Sequence, residues 1–236
     1  MSVRLVVRTF SELCITIGAV IVLFVGYLMF WTGVKAEAAT DGELRLLQDE
    51  WVAQAAPPAQ EPSAAPSAQP ATEPPPPPPY RDGKGIAVMY IPRFGPAWDW
   101  PVLEGTRTGT LKKGLGHYAG SARLGATGNF AVAGHRRTYG DPFKDVPRLR
   151  PGDAVVLTDG TTWYTYRITR KPYRTVPGDT GVVDPVPRKS GFAGPGRYLT
   201  LTTCEPEWGS SHRLIVWARL DATQPVTKGR PAALNS

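Results

Sequence analysis

The chain is predicted to be an all-β protein: a closed or nearly closed β-barrel with short helices, preceded by one transmembrane helix and a Pro-rich linker. Three observations carry that expectation. Residues 13–34 contain no charged side chain; the 25 prolines are unevenly placed, six of them consecutive at Pro74–Pro79; and from Arg81 to Leu220 short β-branched or aromatic runs alternate with Gly, Pro and Asp. The 236 residues allow one ordinary domain plus appendages.

The apolar run, LCITIGAVIVLFVGYLMFWTGV from Leu13 to Val34, is 22 residues long. As a helix it spans ~33 Å, close to the ~30 Å hydrocarbon layer of a bilayer. Trp31 near its outer end suits the interface. Arg4 and Arg8 precede the run, and Ala36 to Tyr80 carries seven acids against the single base Arg45. By the positive-inside rule residues 1–12 are cytoplasmic and everything after Val34 is extracytoplasmic. A cleaved signal peptide competes with this reading, because Ala36-Glu37-Ala38-Ala39 offers small residues. The run exceeds the ~7–15 residues of a signal core, which favours a retained anchor.

Residues 35–80 read as a linker. Ala36 to Gln54 is polar and acidic, with some helical character; Ala55 to Pro79 is rich in Ala, Pro, Gln, Ser and Glu. The second part lacks the apolar content to bury a core and is expected to extend at ~3.1 Å per residue, as a spacer holding the next domain off the bilayer. A ligand for a proline-binding module is the alternative.

Strands are expected at 85–91, 101–104, 129–133, 154–158, 162–170, 174–176, 198–203 and 213–220, with short helices at 108–113 and 142–149. Pro151-Gly152-Asp153 turns the chain into the fourth strand, and Asp159-Gly160 closes a hairpin after it. Many short strands in so short a domain favour barrel closure. Residues 221–236 are expected to be a disordered tail. The 81–220 domain holds 21 Lys+Arg and 11 Asp+Glu. That excess suits an anionic surface such as lipid headgroups or cell-wall polymer. The bases are scattered rather than striped on a helix, so nucleic acid is not an expected partner.

Two cysteines are present, Cys14 and Cys204. Cys14, at the inner edge of the apolar run, reads as a small apolar residue, and the two are too far apart in compartment to pair. Neither belongs to a CxxC or Cys/His cluster, and no acids stand at calcium-site spacing, so no metal and no cofactor is expected. Cys204 ends the alternating run Tyr198-Leu-Thr-Leu-Thr-Thr-Cys. Arg213 opens the next strand nine residues on, and His135 ends Phe130-Ala-Val-Ala-Gly-His. By position alone Cys204 is a buried apolar residue; with its neighbours it gains a chemistry. A thiol needs a base or cation to act as a thiolate, and an acyl intermediate needs a donor for its oxyanion. Cys, His and Arg supply these.

Thr200-Leu-Thr-Thr-Cys204, Arg213-Leu-Ile-Val and Asn129-Phe-Ala-Val-Ala-Gly-His135 together resemble the sortase signature, across essentially all of 85–219. Ile91-Pro-Arg-Phe-Gly, Gly114-Leu-Gly-His117-Tyr and Gly134-His-Arg-Arg-Thr-Tyr-Gly-Asp-Pro-Phe also match; the last resembles the class E housekeeping sortases of high-GC Gram-positive bacteria. The resemblance implies an eight-stranded barrel and a cysteine transpeptidase. Its partners would be secreted proteins with a C-terminal sorting signal, of Leu-Ala-x-Thr-Gly or Leu-Pro-x-Thr-Gly type, and the amine of a peptidoglycan precursor. By motif, Cys204 would be the nucleophile, His135 the acid/base, and Arg213 the group holding substrate and oxyanion. Thr203 would contact the signal peptide. Tyr139 would line the groove or pack in a loop, and His117 would be a structural hydrogen-bonding residue or a substrate contact. Arg136 and Arg137 read as solvated loop bases. His212, beside Arg213, competes with His135 on proximity, and the Gly-His context favours His135.

The sequence departs from the class E pattern at Glu205, where His often follows the cysteine. A carboxylate beside a thiolate tends to disfavour the thiolate. Other cell-wall cysteine enzymes, such as L,D-transpeptidases, place their cysteine in contexts absent here. A non-catalytic membrane-tethered β-domain binding cell-wall polymer is the rival from outside enzymes.

Overall fold

The computed structural model describes residues 3–55 and 78–235, so most of the Pro-rich stretch lies outside the described residues. A single helix, α1, runs from Val3 to Ala55. Its stretch Val3–Tyr27 is long and apolar enough to cross a membrane, with mean hydropathy 2.1 and none of its most apolar window buried against protein. The acidic segment after it is fully helical, and it is not free. Ala36, Thr40 and Leu47 are buried, Thr40 Oγ1 donates to the Lys113 carbonyl at 3.1 Å, and Lys113 Nζ pairs with Glu43 at 3.1 Å. The linker expected from Ala36 to Gln54 is thus a helix laid against the folded domain.

That domain is built from nine strands: β1 Gly85–Tyr90, β2 Asp99–Glu104, β3 Leu115–His117, β4 Gly128–Ala133, β5 Ala154–Thr158, β6 Thr162–Ile168, β7 Tyr173–Thr175, β8 Arg197–Glu205 and β9 His212–Pro225. Their order in the sheet is β6-β5-β1-β2-β3-β4-β8-β9-β7, and β6 also pairs with β9. That last pairing closes eight strands into a ring. The ninth, β7, continues the place of β6 on the same edge of β9. β9 residues 218–225 pair with β6 and 213–215 with β7, and Arg170-Lys171-Pro172 bulges out between them. Proline cannot donate to the ladder, which fits the break there.

The strands read as near-continuous apolar runs because both faces are covered. Val155 and Leu157 of β5, with Leu214, Val216 and Ala218 of β9, point into the barrel, alongside Phe130, Val132, Leu199 and Leu201. The alternate residues Ala154 and Val156 meet Val226, Ala233 and Leu234 outside. Ile215 and Trp217 are covered by Val182, Val183 and Phe192 of the β7–β8 crossover, where Trp217 Nε1 donates to the Val182 carbonyl at 3.0 Å.

Several boundaries differ from expectation. β3 was absent from the predicted strands: three residues containing a glycine carry little periodic signal. The helix expected over 108–113 is the single turn α2, Thr108–Leu111, and 142–149 shortens to a 3₁₀ turn at Val146–Arg148. The expected disordered tail is ordered. β9 extends to Pro225 because the free edge of β6 pairs with it, with Asp221 as an extra residue between paired Leu220 and Ala222. Two 3₁₀ turns then bring Leu234 onto the outer face of β5.

Candidate active site

The strand directions set where each chemical group lies. β4 and β8 run parallel, with Ala133 opposite Thr202. Gly134 N continues the ladder to the Thr202 carbonyl at 3.1 Å. β8 and β9 run antiparallel, with Cys204 directly opposite Arg213. Alternation then assigns faces. Phe130, Val132, Leu199, Leu201, Leu214 and Val216 point inward. His135, Cys204 and Arg213, one parity step away, therefore share the outer face at one end of three adjacent strands. Directly opposite side chains on an antiparallel pair lie within ~5.5 Å at Cβ, so Cys204 and Arg213 leave the sheet side by side.

Gly134 explains the Gly-His pairing. A Cβ there would come within 2.6 Å of Phe143 Cδ2 and 2.8 Å of Leu115 Cδ2. Only a glycine lets the chain end pack this closely beneath His135. Thr203 Oγ1 donates to the Gly134 carbonyl at 2.8 Å, which clamps the strand of Cys204 to the strand that leads into His135. After His135 the chain loops back, with Phe143 N donating to the His135 carbonyl. Four consecutive residues of this loop, Thr138, Tyr139, Gly140 and Asp141, have positive φ. Asp141 holds them by accepting from Thr138 N at 2.5 Å.

His135 is half-buried, and its Nε2 is buried with no hydrogen-bond partner among the described residues. Burial pushes its pKa below the usual histidine value; Asp141 opposes that and Lys112 adds to it. Burial thus favours the neutral ring. Tyr139 lies beside it, ring centroids 5.1 Å apart, and Lys112 Nζ sits 5.3 Å over the Tyr139 ring. Arg213 Nη1 donates to the carbonyls of Ser210 and His212 at 2.9 and 3.0 Å. Among the described residues its other nitrogens have no partner.

Three expectations need correction. Thr203 is buried, and its hydroxyl is committed to Gly134, so it braces the site instead of facing a peptide. His117 is 2% exposed inside the barrel. Its Nδ1 meets Glu104 at 2.6 Å, its Nε2 meets Ser121 Oγ at 2.8 Å and the Ala122 carbonyl at 3.1 Å, and its ring stacks on Phe130. Of the two roles open to it, the substrate contact is the one this burial removes. Arg136 and Arg137 are not solvated. Arg136 is buried and pairs with Glu205. Arg137 pairs with Asp141 and Glu207 and lies 4.6 Å over the Trp208 ring. The two arginines fasten the loop after β4 to the loop between β8 and β9. Sequence reasoning missed them because Glu205, Glu207 and Trp208 lie some 70 residues away.

The same contacts settle where Glu205 points. It follows Cys204 on β8, so its side chain leaves on the opposite face, into Arg136. His212, opposite Glu205 on β9, shares that other face; its Nδ1 is met by Arg174 Nη2 at 3.1 Å and Ser211 Oγ at 2.9 Å.

A model of the sortase domain matches residues 89–221. The chain belongs to the sortase family. It is 36% identical to sortase SrtE1 of Streptomyces coelicolor over 97% of its own length and 61% of that protein's. To sortase SrtE2 of the same organism it is 31% identical, over 95% of its length and 85% of that protein's. Among solved structures, sortase E from Streptomyces avermitilis matches with TM-score 0.63 and 72% identity, covering 66% of this chain and 99% of that one. Sortase E1 from Streptomyces coelicolor, with a tripeptide in its active site, matches with TM-score 0.61 and 40% identity, covering 64% and 97%. Class E sortases are thus among the chain's near relatives, and the eight-stranded closed barrel is the fold they share. The chain spans 61% of the length of SrtE1.

Proposed function

We propose that the chain is a membrane-anchored cysteine transpeptidase. It would cut a C-terminal sorting signal of Leu-Ala/Pro-x-Thr-Gly type between Thr and Gly and join the threonine to an amine of a peptidoglycan precursor. The observation that carries this reading is the meeting of Cys204, Arg213 and the strand end bearing His135 on one face of three adjacent strands. The tripeptide held by the related sortase E1 supports a peptide ligand.

In this mechanism the Cys204 thiol gives its proton to His135 and its sulfur attacks the threonine carbonyl carbon. The Arg213 guanidinium, with nitrogens unspent on protein carbonyls, stabilises the resulting oxyanion. Collapse breaks the Thr–Gly C–N bond, and the His135 imidazolium protonates the departing glycine amine. A thioester to Cys204 remains. The acceptor amine then loses a proton to His135 and attacks that thioester. The new amide forms and the sulfur leaves to regain its proton. Water in place of the amine gives hydrolysis. Arg4 and Arg8 before the uncharged run Leu13–Val34, and the acids after it, support a cytoplasmic N-terminus with the barrel outside.

The test is cleavage of a panel of sorting-signal peptides with an amine acceptor present. The parent should form acceptor-linked product, and Cys204→Ala and His135→Ala should not. Arg213→Lys should lose activity because lysine keeps the charge and loses the planar fork. A folded parent that cuts none of the peptides, or a Cys204→Ala variant that cuts as well as the parent, refutes the assignment.

A further inference from the structure

The contacts of α1 give the barrel a direction relative to the apolar span. Strands β2, β3 and β5 start, and β4 and β8 end, at the end of the barrel that carries His135 and Cys204. Of the contacts made by Thr40 to Trp51, those nearer the span are made there. Thr40 and Glu43 meet Lys113, just ahead of β3, and Asp41 acts on Asp99, the first residue of β2. Lys112, next to Lys113, is the cation over Tyr139 beside His135. The later contacts are made at the opposite end. A Cβ on Gly85, the first residue of β1, would strike Leu47, and one on Gly160, in the β5–β6 turn, would strike the Trp51 ring. The helix therefore lies down the barrel from its catalytic end to its far end.

Thr40 is six residues beyond Val34, where the uncharged run ends, which is ~9 Å along a helix. From Thr40 to Trp51 the helix advances a further ~17 Å. The catalytic end also carries exposed bases: Lys144, Arg148, Arg150 and Lys171. The last three, with Arg93, line an open cavity of about 380 Å³. Cations on that face complement anionic headgroups.

We propose that α1 is a rigid strut that holds the barrel with its catalytic end turned toward an anionic bilayer surface. The proposal rests on the membrane-anchor reading given above. It also reverses the role expected for the Pro-rich stretch: with α1 docked, the 56–77 segment does not set the distance of Cys204 from the membrane. The strut sets both distance and tilt.

The full chain, with Cys14→Ser and Cys204→Ala, is reconstituted in vesicles of phosphatidylglycerol and phosphatidylcholine carrying a headgroup quencher. A fluorophore is placed on Lys144→Cys at the catalytic end or on Thr127→Cys, just before β4, at the far end. The expected result is quenching several-fold stronger at 144 than at 127, a difference that shrinks when Leu47→Asp undocks the strut. If alkaline carbonate strips the chain from the vesicles, the anchor reading and the orientation fall together. If the chain stays integrated and the two positions quench equally, or 127 quenches more, the orientation alone is overturned. If Leu47→Asp leaves a strong 144-to-127 difference intact, the strut is not what sets it, and the proposal fails on that ground.

Discussion

Replacing Arg136 with methionine tests whether Glu205, the residue after Cys204, is kept harmless by its partner. The Arg136 side chain is 8% exposed and that of Glu205 23%. Removing one member of a buried pair costs ~3–5 kcal/mol. Because Glu205 keeps some solvent, the expected loss of folding stability is nearer ~2 kcal/mol. The second effect falls on Cys204. A carboxylate released from its guanidinium at ~7 Å, with an effective dielectric of ~20, repels a thiolate by ~2 kcal/mol, or ~30-fold in its population. In a Cys14→Ser background, alkylation of Cys204 at neutral pH should therefore slow by about that factor. Adding Glu205→Gln removes the stranded charge and should restore most of the rate and part of the stability. The coupling between the two sites, read from urea midpoints and alkylation rates over the four variants, should exceed ~1 kcal/mol. Parental alkylation in Arg136→Met, or a deeper loss on adding Glu205→Gln, refutes the reasoning.

Three further outcomes are expected. Gly134→Ala forces a methyl into Phe143 and Leu115 and should cost ~1–3 kcal/mol by chemical denaturation, with transpeptidation falling as His135 shifts; a neutral variant would show that the close approach is relaxed in solution. Thr203→Val keeps the shape, loses the bond to the Gly134 carbonyl and should cost ~1–2 kcal/mol, with kcat falling more than KM rises. The third concerns pH. Burial lowers the His135 pKa, so as pH falls through the ordinary value of ~6.5 the unfolded chain binds a proton that the folded chain does not. Stability is full above that pH and declines below it. His135→Gln should flatten this slope in urea midpoints taken from about pH 7.5 to 5, and an unchanged slope would remove His135 as its source.

Much of the barrel was legible because its strands are apolar on both faces. Ala154–Thr158 was bounded to the residue, since Pro151-Gly152-Asp153 and Asp159-Gly160 punctuate it on both sides. β9 was cut short at Leu220 because Asp-Ala-Thr-Gln-Pro carries no apolar pattern; its pairing comes from the free edge of β6, a tertiary cause. The docking of 36–55 was hidden for a related reason. Among the described residues of that segment Ala36, Thr40 and Leu47 are the buried ones, too few to stand out against seven acids between Ala36 and Tyr80. For the site, motif and order single out Cys204, His135 and Arg213, and the strand pairing brings their positions to one end of the barrel. Arg136 and Arg137 could not, because charge in a loop reads as solvation until the partners from the β8–β9 loop are in view.

The path of α1 also gives the chain an unusual mechanical connection. Ala55 and Pro78 bracket the 56–77 segment: before it Trp51 lies against Gly160 at the end of the barrel away from Cys204, and after it Tyr80 meets the His117 ring. Covalently, all force between the anchor and the enzyme passes through those 22 residues. Non-covalently, it passes through the clasp made by Thr40, Glu43, Leu47 and Trp51. A pull on the barrel directed away from the apolar stretch of α1 would load that clasp. A protease cut within 56–77 would leave the enzyme seated, held by the clasp alone.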